Sequence, residues 1–344
     1  MRICFSVLFS VFLMTVVPVN SLASDSLRDL FARVSPSVCV LKTVGNELSA
    51  NKKSGLTSAY GLGSGVLISS DGKVLTAAHV VHHADVVSVE FADGKKIGAK
   101  VIGSIPLADI ALVQLDKVPD GLTPAILGDS DLMQVGDRVM IIGAPFGLSR
   151  AMSAGYLSGR HDLTEQTEGL VEVEVLQSDA AANSGNSGGP MFNMKGEVIG
   201  IISSILTKSG GFDGISFAIS SNVARKLMLE GKTIWSGLDT VMLHNYAAAF
   251  NIPQEAGLLV QRVAQDSIAD NLGLKGGDKL IKIGSREVLV GGDIILAIAG
   301  VEITPDAKAM KAIRNKVHEM NEGDKLVIKI LRAGNIDTLS ATIQ

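Results

Sequence analysis

Between residues 60 and 220 the chain is a dense succession of short apolar runs rich in branched residues, and this density constrains the fold more than any other feature. The runs read "GSGVLIS", "KVLTAAHVV", "VVSVEF", "KIGAKVIG", "IALVQL", "RVMIIG" and "VEVEVLQSD". Each has a strand's length and composition. Turn signals at Asp71-Gly72, Asp93-Gly94 and Lys195-Gly196 separate them. Short strands at this density predict a barrel or sandwich, not a parallel α/β sheet. Glycine, at 37 residues, supplies the turns, and 47 % hydrophobic with 19 % charged residues suits packed domains. A length of 344 residues is enough for two or three of them.

The texture differs on either side of this region. At the N-terminus Arg2 precedes an apolar run from Ile3 to Val17, and small residues follow at Ser21 and Ala23. That layout predicts a secretory signal peptide over 1–23, cleaved after Ala23. An uncleaved anchor fits less well, because the run is short for a bilayer and meets Pro18. Cys4 lies in this segment, so Cys39 is the one mature cysteine; in "SVCVLK" it reads as a small buried hydrophobe. The formal net charge of −4 gives no draw toward nucleic acid or anionic lipid. Residues 27–42 read as a short helix, "LRDLFARV", and a strand. A second helix, "SNVARKLMLEG", capped by Ser221 or Asn222, closes a first domain over 24–231. Residues 232–256 are less regular and hold the only tryptophan, Trp235. A smaller α+β unit fills the rest of 232–344. Its longer helix, "TPDAKAMKAIRNKVHEM", is expected to start at a Thr304 cap with Pro305 in its first position, and to bury Met310, Ile313, Val317 and Met320. The near-copies "GGDKLIKIG" and "GGDIILAIAG" read as a repeated turn and strand.

The stretch "NSGNSGGPMF" carries the chemistry. Its G-x-S-x-G pattern also occurs at the strand-to-helix elbow of α/β-hydrolases, which requires a helix directly after the serine. Here Ser187 is followed by Gly188-Gly189-Pro190 and then a strand, a turn and another strand, so the elbow is rejected. A β-barrel protease instead needs a base beside the serine and a buried carboxylate to fix the base's tautomer. His79, at the end of the apolar strand "VLTAAHVV", and Asp109, at the head of "DIALVQL", supply both in the order histidine, aspartate, serine.

"TAAHV", "DIALV" and "GNSGGP" resemble the trypsin-like serine proteases. With "YGLGSGVLIS", "GAPFGL", "QSDAAANSGNSGGPMFN" and "GISFAI" the arrangement is similar to the HtrA/Deg family of exported proteases, over about residues 26 to 344. The resemblance implies a mostly β fold, a trypsin-like double β-barrel followed by a small α+β PDZ domain. It implies Ser187 as nucleophile, His79 as base and Asp109 as its orienter, with the N–H groups of Gly185 and Ser187 as oxyanion hole. In trypsin-like enzymes the residue six before the serine lies at the base of the specificity pocket. Here that residue is Ala181, flanked by Ala180 and Ala182, with Ile215 a candidate wall, so small-to-medium aliphatic P1 residues are expected. Leu238, Asp239 and Thr240 fall where the family binds a peptide carboxylate, and Asp239 departs from the usual glycine. "RHDLTEQTEG", 160–169, is expected to be a mobile regulatory loop. His82-His83 lacks further ligands at metal spacing and reads as a solvated strand end. The family implies ATP-independent cleavage of unfolded or damaged proteins in the periplasm, homotrimers or larger assemblies, activating peptides at the PDZ domain, and neither cofactor nor metal. A gated, chaperone-like binding protein is the rival.

Overall fold

The computed structural model describes residues 26–48, 56–148, 150–205, 212–232, 234–283 and 286–343; the expected signal peptide lies outside them. Helix α1 (Leu27–Val34) comes first, its free N–H of Asp29 taken by the Ser26 side chain. Strands β1 (Val38–Leu48), β2 (Leu56–Leu67), β3 (Lys73–Thr76), β4 (Ala84–Glu90), β5 (Lys96–Ile105) and β6 (Ile110–Leu115) close into a barrel in the order β1-β2-β3-β6-β5-β4. A short helix, α2 (Ala78–Val81), bridges β3 and β4. His79 is its second residue and not part of a strand as expected, because β3 ends at Thr76.

Strands β7 (Ile126–Leu127), β8 (Arg138–Gly143), β9 (Ala151–Asp162), β10 (Glu174–Ser178), β11 (Pro190–Asn193), β12 (Glu197–Ile205) and β13 (Ser216–Ser220) form the second sheet. It runs β11-β8-β9-β10-β13-β12, closes through β11–β12, and carries β7 outside β12. One apolar cluster joins the two barrels: Leu75 and Ile110 from the first pack with Met140, Ile142, Phe192 and Ile201 from the second, all fully buried. At about 1.5–3 kcal/mol for each large side chain removed from water, this shared core holds the barrels at a fixed angle. Cys39 is buried and free, as read from the sequence. Helix α3 (Ser221–Met228) follows, capped by Ser220 and not by Ser221 or Asn222. Ser221 is buried and its hydroxyl donates instead to the Gly128 carbonyl, 2.9 Å away.

The C-terminal domain is an open sheet with two helices. Its strands are β14 (Leu238–Met242), β15 (Leu258–Val263), β16 (Lys279–Ile283), β17 (Arg286–Val290), β18 (Ile294–Ile298), β19 (Val301–Glu302), β20 (Lys325–Arg332) and β21 (Asn335–Thr342). The main order is β14-β15-β18-β20-β21, with β14 at one edge and β16–β17 as a separate hairpin. The two near-copies of the sequence thus become strands of different sheets, β16 and β18. Helix α4 (Ile268–Asn271) is one turn, and α5 (Ala307–Glu319) buries Ile313 with Met310, Val317 and Met320 packed around it. The cap of α5 is Asp306, whose carboxylate accepts from the N–H groups of Lys308 and Ala309; Thr304 donates its hydroxyl to Asp306 instead.

The domains meet along residues 82–85. Trp235 Nε1 donates to the His82 carbonyl at 2.9 Å, and Gln265 N–H donates to Asp85 Oδ1 at 2.9 Å. His82 Nε2 donates to the Leu238 carbonyl at 3.3 Å, which leaves Nδ1 to accept from Ser104 Oγ at 2.8 Å. The histidine pair is therefore no solvated strand end. His82 is 3 % exposed, covered by the C-terminal domain, and burial pulls its pKa down despite the opposing Leu238 contact.

Candidate active site

Three loops converge where the barrels meet. The first is α2, whose opening N–H groups have no partner inside so short a helix. The His79 N–H donates to Asp109 Oδ1 at 3.0 Å, and the ring Nδ1–H lies 2.9 Å from both carboxylate oxygens. One carboxylate thus fixes the helix start and the imidazole tautomer together. Asp109 reaches this position from a left-handed conformation (φ 48°, ψ 43°) directly after the 3-10 turn Pro106–Ala108. Aspartate tolerates that region better than a branched residue would. Burial works to raise the Asp109 pKa, but hydrogen bonds from His79 and Ser203 and the charge of His79 outweigh it and hold the carboxyl below its ordinary range.

Ser203 was not singled out from the sequence. Its hydroxyl donates to Asp109 Oδ2. "IGIISSIL" offers no signal for this role beyond a polar residue on an apolar strand.

The third loop carries Ser187, the expected nucleophile. Gly185 has φ 100° and Gly188 φ 82°, and a Cβ on Gly188 would come within 2.2 Å of both the Ser64 carbonyl and Thr76 Oγ1. Only glycine fits there. Ser64, a second residue missed by sequence reasoning, ties this loop to the first barrel. Its N–H donates to the Ser187 carbonyl at 2.8 Å, and its hydroxyl donates to the Gly185 carbonyl at 2.6 Å while accepting from Ala144 N–H at 2.9 Å. The N–H groups of Gly185 and Ser187 bond to no group among the described residues, whereas Asn186 N–H donates to Asn183. Asn186 Oδ1 is buried with no hydrogen-bond partner among the described residues. The Ser187 hydroxyl points to the Ser203 carbonyl, 3.5 Å away, and no hydrogen bond joins it to His79.

The other expected residues fall as follows. Ala181 is exposed, its carbonyl accepting from Ser153 Oγ at 2.6 Å; Ala182 is buried and Ile215 half-buried. Residues 160–169 are more tied down than expected of a mobile loop: Arg160, in β9, bonds Glu174, Asp131 and the carbonyls of Ser130 and Met133, and buried Thr167 bonds Thr164 and Val171. Leu238, Asp239 and Thr240 form the start of edge strand β14, where Asp239 is held by Arg262 at 2.9 and 3.1 Å. No group of three metal-ligating side chains occurs among the described residues.

Paired barrels, with a His–Asp couple on the first and a glycine-cradled serine on the second, define the class of trypsin-like serine peptidases. A model of the trypsin-like peptidase domain matches residues 63–201. An HtrA-type protease, AlgW, solved with a tripeptide, is 31 % identical, with 92 % of this chain and 96 % of that chain covered at a TM-score of 0.53. The chain belongs to the HtrA/Deg family. Curated relatives include a probable periplasmic serine endoprotease DegP-like of Ectopseudomonas mendocina, 39 % identical over 266 residues, covering 75 % of this chain and 54 % of the relative. A probable periplasmic serine protease do/HhoA-like of Haemophilus influenzae is 38 % identical over 292 residues, covering 83 % and 58 %. The chain spans about half the length of the curated relatives it matches.

Proposed function

We propose that the chain is an exported serine endoprotease that cleaves unfolded or damaged proteins without ATP, after small aliphatic residues, as a homotrimer or larger assembly. The carrying observation is the Asp109 carboxylate bonded to both the backbone and ring of His79, together with a serine loop in which the N–H groups of Gly185 and Ser187 have no partner among the described residues. Ser187 Oγ, rotated from the Ser203 carbonyl toward His79, attacks the scissile carbonyl as His79 takes its proton. Asp109 stabilises the resulting imidazolium, and Gly185 and Ser187 N–H groups receive the oxyanion; losing one such donor typically costs about 3 kcal/mol of transition-state stabilisation. His79 then protonates the leaving amine, and water repeats the sequence on the acyl-enzyme. The absence of a carboxylate at Ala181 supports aliphatic P1 residues. Periplasmic placement is supported by the relatives' names and by the apolar N-terminal run.

Peptides join the C-terminal domain, a PDZ module in this reading, by adding a strand to the outer edge of β14 beyond Leu238, whose carbonyl is taken by His82. Asp239 does not oppose a peptide carboxylate outright, because Arg262 pairs with it and its carboxylate lies 4.0 Å from His83. Two solved HtrA-type structures carry a tripeptide and a decapeptide, which supports peptide binding here. The Ser187 hydroxyl turned toward Ser203 favours a second reading, a gated enzyme whose resting form binds peptides. Mature wild type and Ser187→Ala, given an unfolded, disulfide-free protein and mapped by mass spectrometry, decide. Cuts after valine, alanine or leucine in wild type alone support the proposal. Cuts after lysine or arginine refute the pocket assignment, and no cutting by either protein, with or without added peptide, favours the binding protein.

A further inference from the structure

We infer that Arg262 of the C-terminal domain is a specificity residue of the protease, lining a leaving-group subsite shared by both domains and favouring acidic substrate side chains there. This rests on the reading of His79 as the catalytic base. A cavity of about 440 Å³ opens beside the His79 imidazole, walled by Thr43, Gly61, Leu62 and His83 of the first barrel and by Arg262 of the other domain. Its size is that of an ordinary ligand cleft.

The chemistry says which half of the substrate passes here. His79 gives its proton to the leaving amine, so the departing half leaves over the imidazole and the wall beyond it. The acyl half belongs to the opposite side, where the Ser203 carbonyl of the second barrel lies 3.5 Å from the Ser187 hydroxyl. Apart from Arg262, every residue of the cavity wall among the described residues comes from the first barrel. The cavity is therefore a subsite for residues after the cut.

Arg262 is held there. The Trp235, Gln265 and Leu238 contacts fix its domain against residues 82–85, three residues beyond His79. Asp239 orients the guanidinium through Nε at 3.1 Å and one Nη at 2.9 Å, yet Asp239 is not part of the cavity wall. His83, with its pKa drawn down to about 4 by burial, then by Arg262 and His82, brings no positive charge at neutral pH. Arg262 is thus the one permanently charged side chain of the wall among the described residues. Its side chain is 26 % exposed, so the preference has the size of a partly screened ion pair, about two- to five-fold in kcat/KM.

The test uses the whole mature protein and quenched peptides identical up to the cut, carrying glutamate or lysine at the first three positions after it. Wild type, Arg262→Gln, Arg262→Lys, Arg262→Glu and Ser187→Ala are compared, with Trp235 emission reporting domain docking. The expected result is a two- to five-fold preference for glutamate, kept by Arg262→Lys, flattened by Arg262→Gln and inverted by Arg262→Glu. Equal rates on both peptides in wild type overturn the inference, as does an unchanged ratio in a docked Arg262→Glu or Arg262→Gln protein. Should Arg262→Glu release the domain, the glutamine and lysine variants decide. Cleavage that survives in Ser187→Ala refutes the active-site reading instead and is distinguishable from both.

Discussion

Lowering the pH from about 7 to about 4 is expected to weaken the hold of the C-terminal domain on the barrel by about 2 kcal/mol, chiefly through His83. Burial draws its pKa down to about 4, Arg262 and His82 push the same way, and Asp239 opposes them. A histidine ordinarily titrates near 6.5, so the released form takes up a proton that the docked form resists. Docking strength is therefore complete above about pH 6.5, falls as the pH drops through that value, and stops falling below about 4, where both forms are protonated. At about 1.4 kcal/mol per pH unit the full gap corresponds to about 3 kcal/mol. The imidazole is 29 % exposed, and solvent screening brings this to about 2 kcal/mol. His82, lowered by burial, adds in the same direction. Trp235 is the only tryptophan and its indole N–H is bonded to the His82 carbonyl, so its emission reads docking directly. Titrated over this range, wild type shows an acid-induced red shift, and His83→Gln shows it at lower pH with a shallower slope. Identical midpoints and slopes in the two proteins would refute the assignment to His83.

Removing the Ser203 hydroxyl tests the residue that the sequence concealed. A hydrogen bond to a charged group contributes about 1.5–3 kcal/mol, and part of it bears on the transition state through Asp109, so Ser203→Ala should lower kcat about ten-fold with KM nearly unchanged. A rise in KM alone would place Ser203 in substrate binding. Gly188→Ala should cost more than about 3 kcal/mol of stability, since its Cβ would meet backbone and a bonded threonine at 2.2 Å from a left-handed conformation. Thermal unfolding checks this, and a Tm within a degree or two of wild type contradicts the packing argument.

Legibility in the sequence followed the range of the interactions. The strands of both barrels read well because alternating branched runs and Asp-Gly turns are local signals, and Gly72, Gly94 and Gly196 all take the positive φ such turns need. His79, Asp109 and Ser187 stood out because each sits in a short, stereotyped surrounding, and the structure brings His79 Nδ1 to 2.9 Å from Asp109. Helix caps read poorly, in two cases by a residue or two. Ser220 and Asp306 cap where Ser221 or Asn222 and Thr304 were expected, because each of the expected side chains found a better partner in three dimensions. Ser64 and Ser203 were hidden for the same reason: their partners lie 121 and 94 residues away, and a buried serine announces nothing about what it holds.

The histidine pair is the most instructive failure. A polar pair after an apolar run ordinarily marks the point where a strand reaches water, and that inference holds only if nothing else packs there. Here α2 lies at the mouth of the first barrel, since a chain crossing from β3 to β4 has to pass over the barrel's end, and the residues that follow it face outward. An outward face is what a second domain can cover. The signal that it does so was present in the lone Trp235 of an aromatic-poor chain, a large apolar ring with one donor that has to be matched by a carbonyl. Because that carbonyl belongs to His82, three residues past His79, whatever shifts the C-terminal domain acts on the segment that carries the proposed base. Coupling by this route is physically separate from any route through residues 160–169, of which His161, Asp162, Leu163 and Gln166 share a cavity of about 540 Å³ with Asp109 and Ser203. A double-mutant cycle between Trp235→Phe and a change at Thr167 should therefore be additive in kcat/KM to within about 0.5 kcal/mol.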